Sequence, residues 1–247
     1  MTSLILFPVL AWGQIQTHPH IQVFLGYEPY KQDASKYSIL TGGELDRSAE
    51  KSYINVDQAA TTNAVTFGAR AGVLVFQDEN PFRFNFDMSC ALNVFTKSFY
   101  GARFGLSIEP EFKRPTSPLA AFLGAGIDGY ILWGNIGEVG SASPNDLYLD
   151  APDGHLYPIG SDFDIQSNFL MGVNAYFGLR FYTGKYNNIF VLAGYQVAAN
   201  AEKWNYTITD CDNSDFKYDI PRSLLPMHPN KVVQDGPFFR IGFSFTP

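Results

Sequence analysis

The chain has 247 residues, 46% of them hydrophobic and 16% aromatic, with 22 glycines, 14 tyrosines and a formal net charge of −7. This length suits one domain, and the aromatic and glycine content excludes a disordered chain and argues against a helical bundle. The acidic balance lacks the clustered Lys and Arg of a nucleic-acid face, so nucleic acid is not an expected partner.

The chain begins with a short apolar stretch, Leu4 to Trp12, followed by small residues at −3 (Ala11) and −1 (Gly13) before Gln14. It reads as a signal peptide over 1–13 that lacks the usual basic residue ahead of the apolar core; the other reading is a buried first strand. No run reaches the 18 or more apolar residues of a spanning helix, so any membrane crossing has to use strands.

Beyond His18 and His20, eight segments alternate with period two: Ile21–Glu28, Val65–Phe76, Phe82–Asn93, Ala102–Phe112, Leu119–Trp133, Leu170–Tyr182, Ile189–Val197 and Pro237–Phe245. In the sixth, Met171, Val173, Ala175, Phe177, Leu179 and Phe181 share one face, and Gly172, Asn174, Tyr176, Gly178, Arg180 and Tyr182 the other. A helix would mix these sets.

The connections 77–81, 113–118 and 183–188 are short and rich in turn formers, whereas 29–64, 134–168 and 198–236 are long and only 95–101 is brief. Short turns on one side and long loops on the other predict a closed antiparallel eight-stranded up-and-down transmembrane β-barrel over 20–247, with periplasmic turns and extracellular loops. Within the long loops, Leu147–Leu149 and His155–Tyr157 flank Pro152, Asp153 and Gly154, which predicts a hairpin. Alternation at Trp204, Tyr206 and Ile208, and again at Phe216, Tyr218 and Ile220, predicts strands that continue past the bilayer.

A soluble barrel of lipocalin type has the same strand count but turns its polar face to water. Here none of the nine lysines (31, 36, 51, 97, 113, 185, 203, 217, 231) falls in a predicted strand, and no Asp, Glu, Lys or Arg lies on the apolar face. Charge on that face would cost roughly 2–4 kcal/mol per Arg or Lys at a bilayer midplane. Lipid is the better solvent for it. Tyr27, Phe82, Phe112, Trp133, Phe181, Phe239 and Phe245 stand near segment ends, where interfacial girdles form.

These segments, with the terminal strand FFRIGFSF at 238–245, resemble the eight-stranded outer-membrane barrels of OmpA/OmpX type and the small outer-membrane β-barrel domains common in Bacteroidetes. The resemblance spans 20–247. It implies residence in the bacterial cell outer membrane, contact with its lipid, and recognition of the aromatic-rich last strand by the barrel-insertion machinery. The chain continues past that strand with Thr246 and Pro247.

Inward-facing positions carry five arginines (Arg70, Arg83, Arg103, Arg180, Arg240) and five acids (Glu28, Asp87, Glu109, Glu111, Asp128). An eight-stranded barrel is only wide enough for its own side chains, so these charges are expected to pair across the lumen and plug it. The alternative is a small passive channel with charged constrictions. Counting from the turns puts Arg83, Arg180, Glu109 and Glu111 toward the periplasm, Arg70 and Asp87 midway, and Glu28, Arg103, Asp128 and Arg240 toward the exterior.

Catalysis is not expected. His155 and His228 lie in long loops, near Asp153, Ser161, Asp162 and Ser223 but without spacing that fixes a triad, and a loop-based lipid-modifying enzyme is the remote alternative. The DCDNSD run at 210–215 lacks the Gly and terminal Glu of a calcium loop and reads as a solvated turn, so no cofactor or metal is expected. Cys90 and Cys211 read as free thiols. The expectation is a structural or interaction barrel whose long loops meet a surface ligand or another envelope protein.

Overall fold

The computed structural model describes residues 15–29, 31–32, 36–38, 52–56, 63–78, 80–95, 99–114, 116–141, 147–150, 156–198, 204–210, 217–219, 232–233 and 236–246. Eight long strands form its frame: β1 (Gln16–Pro29), β2 (Asn63–Phe76), β3 (Phe82–Phe95), β4 (Phe99–Lys113), β5 (Leu119–Ser141), β6 (Leu170–Tyr182), β7 (Asn188–Ala198) and β8 (Gly236–Phe245). Each pairs antiparallel with the next. β8 returns to β1 from Ile21↔Phe245 to Tyr27↔Phe239, which closes the ring. Closure gives every backbone group in the wall a partner strand on each side.

Strict alternation carries through the wall. In β6 every second side chain from Leu170 to Tyr182 turns inward, and those between turn out. A one-residue slip would reverse both faces at once, so the pattern fixes the register. The short connections are tight: the Asn80 amide donates to the Gln77 carbonyl at 3.0 Å, that of Ser117 to the Arg114 carbonyl at 3.1 Å, and that of Thr183 to the Asn187 carbonyl at 2.9 Å.

Strand ends shift from the sequence expectation at most positions, and three of the shifts change the reading. β1 starts at Gln16, so His18 and His20 are strand residues and do not precede it. Pro19 hid this, yet it is tolerated because pairing to β8 begins only at Ile21, so on that side no neighbour requires its missing N–H. Lys113 is the last residue of β4, so one lysine does fall within a strand of the ring. β5 runs on to Ser141, well past Trp133.

The extra length of β5 carries the same sheet on beyond the ring, at the end of the long connections. One edge of upper β5 pairs with Asp162–Ser167 and the other with Ser52–Val56. Asp162–Ser167 pairs in turn with Trp204–Thr209, which meets Lys217–Asp219, while Ser52–Val56 meets Lys36–Ser38. A bulge at Ile136, opposite the step from Phe163 to Asp164, switches the inward parity from Tyr130 and Leu132 below to Gly137 and Val139 above. Ile136, Val139, Phe163, Ile165, Tyr206 and Ile208 are all buried there. The rings of Phe163 and Tyr206 stack at 6.0 Å. The expected strand continuation at 204–208 and 218 is therefore present, and Phe216 and Ile220 lie outside the described residues. The expected hairpin forms between Tyr148–Asp150 and Leu156–Pro158. The segment 1–13, His155, His228 and Cys211 also lie outside the described residues, and Cys90 is a free, outward-facing thiol.

Candidate functional site: the barrel lumen

The barrel wall presents two surfaces of opposite character. The outer wall is apolar throughout: Phe104, Leu106, Leu123, Ile127, Val173, Phe177, Phe239 and Ile241 are exposed, with Met88 at 68% and Leu123 at 64%. In water a belt of this extent would be an aggregation surface. Rings mark its limits, with Phe82 and Phe112 edge-to-face at 5.4 Å toward the short turns and Tyr100 and Trp133 at 6.3 Å toward the long connections. A closed ring with an apolar belt and aromatic borders is a membrane-spanning barrel.

The inner wall carries the polar chemistry. All ten charged residues expected there face inward, and nine of them are buried; Arg83 is half-buried. Seven of them form two knots. Toward the short turns, Glu109 takes hydrogen bonds from Arg70, Arg180 and the Tyr176 hydroxyl, the last at 2.7 Å. Glu111 takes one from Arg180 at 2.6 Å and one from the Tyr182 hydroxyl at 2.7 Å. Toward the long connections, Glu28 receives both terminal nitrogens of Arg103, at 3.2 and 2.7 Å, and Nη2 of Arg240 at 2.9 Å. Arg103 also donates to the Gln196 side-chain carbonyl at 3.1 Å. The planar guanidinium matches two carboxylate oxygens at once, as in the Arg103–Glu28 contact.

The pairing departs from the expectation of mixed layers in three places. Arg70 bonds to Glu109 and not to Asp87, because its reach follows the tilt of the strands and not a level counted along them. Asp87 is held instead by His20 at 2.7 Å, and Asp128 by the Asn174 amide at 2.5 Å. Arg83 makes no ion pair among the described residues; its guanidinium carbon lies 5.1 Å from the Phe76 ring centre and 5.8 Å from that of Tyr182.

Sequence reasoning also missed what fills the space between the knots. Phe24, Phe122, Tyr176, Phe190, Leu192 and Phe238 turn inward and form one buried cluster. Each of several rings lies over a glycine on the next strand: a Cβ on Gly124 would meet Tyr176 at 2.1 Å, on Gly68 Phe24 at 2.2 Å, and on Gly178 Phe122 at 2.4 Å. Gly68, Gly124 and Gly178 are thus sockets for rings, which explains a residue that otherwise weakens a strand. Guanidinium carbons lie 4.1 Å from the Phe122 ring for Arg180 and 4.4 Å from the Phe238 ring for Arg240, so charge and ring alternate through the lumen. The readable signal was parity: His20, Phe24, Phe122, Tyr176, Tyr182, Phe190, Gln196 and Phe238 share the face of the charges.

No protein-family model matches the chain, and no curated protein matches it. Solved structures that resemble it include Neisserial surface protein A, at 11% identity over 92% of this chain and 94% of that one, with a TM-score of 0.43. A major outer membrane protein from Thermus thermophilus has 11% identity over 93% and 99% of the two chains, with a TM-score of 0.43. The outer membrane protein OprG from Pseudomonas aeruginosa has 10% identity over 93% and 96%, with a TM-score of 0.39. Likeness this loose says nothing about activity.

Proposed function

We propose that this chain is a bacterial outer-membrane barrel of the small OmpA/OmpX kind, closed through its lumen, whose role is structural or one of binding and is exercised by the long connections and the sheet they build above the barrel. The short turns then face the periplasm and the long connections the exterior. The observation that carries the reading is the filled lumen: two ionic knots with an aromatic cluster between them leave the interior occupied by its own side chains. With the interior spent on packing, the upper sheet and the hairpin at Tyr148–Asp150 and Leu156–Pro158 are the parts free to meet a ligand or an envelope partner.

Two measurements test this. Purified protein in planar bilayers should show no steady large conductance; a stable open state would replace the closed barrel with a channel. Cell fractionation should recover the protein in the outer membrane with heat-modifiable gel mobility, and recovery in the soluble fraction would overturn the assignment altogether.

A further inference from the structure

We propose that the short-turn mouth of the lumen binds a phosphate-class oxyanion, held by Arg83 with Lys113 beside it. Four of the five lumen arginines, Arg70, Arg103, Arg180 and Arg240, bond to a carboxylate. Arg83 does not. Its Nε and Nη1 are buried without an acceptor, while Nη2 is neither enclosed nor hydrogen-bonded among the described residues. A guanidinium left in this state is costly unless something supplies the acceptor.

The carboxylate that faces Arg83 across the strand pair is Glu111, and it is already committed. Its Oε2 accepts from Arg180 and its Oε1 from the Tyr182 hydroxyl. The Phe76 and Tyr182 rings meanwhile hold the Arg83 guanidinium in place. A cation fixed by aromatic faces, with donors unused, is preorganised for an incoming anion.

Lys113 supplies the second charge. Its Nζ lies 5.0 Å from the centre of the same Tyr182 ring, so the two cations share one aromatic neighbour with no carboxylate bonded to either among the described residues. Like charges brought together in this way repel unless an anion joins them. His18 stacks on the same Phe76 ring at 5.4 Å and lies tilted against Tyr186 at 4.1 Å. Arg83 follows Phe82 and Lys113 follows Phe112, the ring pair that borders the apolar belt, so the site lies where hydrocarbon gives way to headgroups. Phosphate at this depth can come from a lipid headgroup or from free phosphate; the recognition chemistry is shared.

The test titrates inorganic phosphate into the full-length protein in a zwitterionic detergent that carries no phosphate, and follows the phosphorus chemical shift. In parallel, the protein is extracted from vesicles of phosphatidylglycerol and its retained lipid phosphate is counted by native mass spectrometry. The expected result is a saturable shift, retained lipid, or both: the shift alone marks free phosphate as the source, and retained lipid marks the headgroup. R83Q should weaken binding about tenfold, the loss of one hydrogen bond to a charged group, and K113Q several-fold, with heat-modifiable mobility intact. If R83Q does not fold, K113Q at the rim decides. Absence of both signals in the natural chain, or unchanged binding in the folded variants, would overturn the proposal.

Discussion

At one end of the lumen Glu28 alone accepts from two guanidinium groups, whereas at the other Glu109 and Glu111 divide Arg70 and Arg180 between them and add two tyrosine hydroxyls. The first knot joins two arginines through one shared carboxylate, with the Gln196 side-chain carbonyl as a further acceptor for Arg103. The second is balanced and has alternatives: with Glu111 removed, Arg180 still bonds to Glu109. Burial makes both knots expensive to break, but redundancy decides how expensive.

The largest expected effect follows from that difference. Glu28→Gln takes from Arg103 and Arg240 the carboxylate they share, and should lower stability by about 3–5 kcal/mol, the range for a broken buried pair. Glu111→Gln should cost clearly less. Urea midpoints for folding into lipid vesicles would compare the two, and equal losses would break the distinction drawn between them.

Second, Gly124→Ala sets a Cβ 2.1 Å from the Tyr176 ring, whose hydroxyl belongs to the balanced knot. Overpacking of this kind costs about 1–3 kcal/mol, and the same urea series would show it. Third, Tyr182→Phe removes one donor from Glu111 but leaves Arg180 in place, for an expected loss of about 1.5 kcal/mol, the low end for a hydrogen bond to a charged group. A loss as large as that of Glu28→Gln would show that the balanced knot lacks the redundancy assigned to it.

The smallest effect lies outside the ring. Asp164, in the upper sheet, accepts from the Thr209 hydroxyl at 2.9 Å, and burial raises its pKa above the usual 3.8. A carboxyl whose folded pKa is raised supports the fold below its unfolded pKa, and that support fades as pH rises through the folded value. Amide exchange in Asp162–Ser167 should therefore quicken slightly from acid to neutral pH beyond its intrinsic rise, and Asp164→Asn should remove that component.

Much of the ring was legible because a wall with lipid on one side and a narrow interior on the other permits one alternation only. Met88 and Arg180 could not exchange faces. The ends of strands were harder, since outside the hydrocarbon neither face is constrained by lipid: β5 continues through Gly134 and Asn135, residues that read as a loop, because flanking strands supply its hydrogen bonds. Which inward residues occupy the lumen was legible, but who bonds whom was not. Arg70 on β2 reaches past β3 to Glu109 on β4, a relation that depends on strand tilt and is absent from any local pattern. His20 was missed because Pro19 interrupts the alternation that would have placed it opposite Asp87.

The length of β5 has a mechanical consequence. Its 23 residues extend about 75 Å at roughly 3.3 Å per residue, against a hydrocarbon core about 30 Å thick. Its upper part, past Trp133 at the aromatic border, stands clear of the hydrocarbon while Leu119–Trp133 is laced into the ring. A tug on the upper sheet is carried along a continuous, cross-bonded ribbon into the barrel wall, so a bound partner would pull against the whole anchor and not against a slack tether.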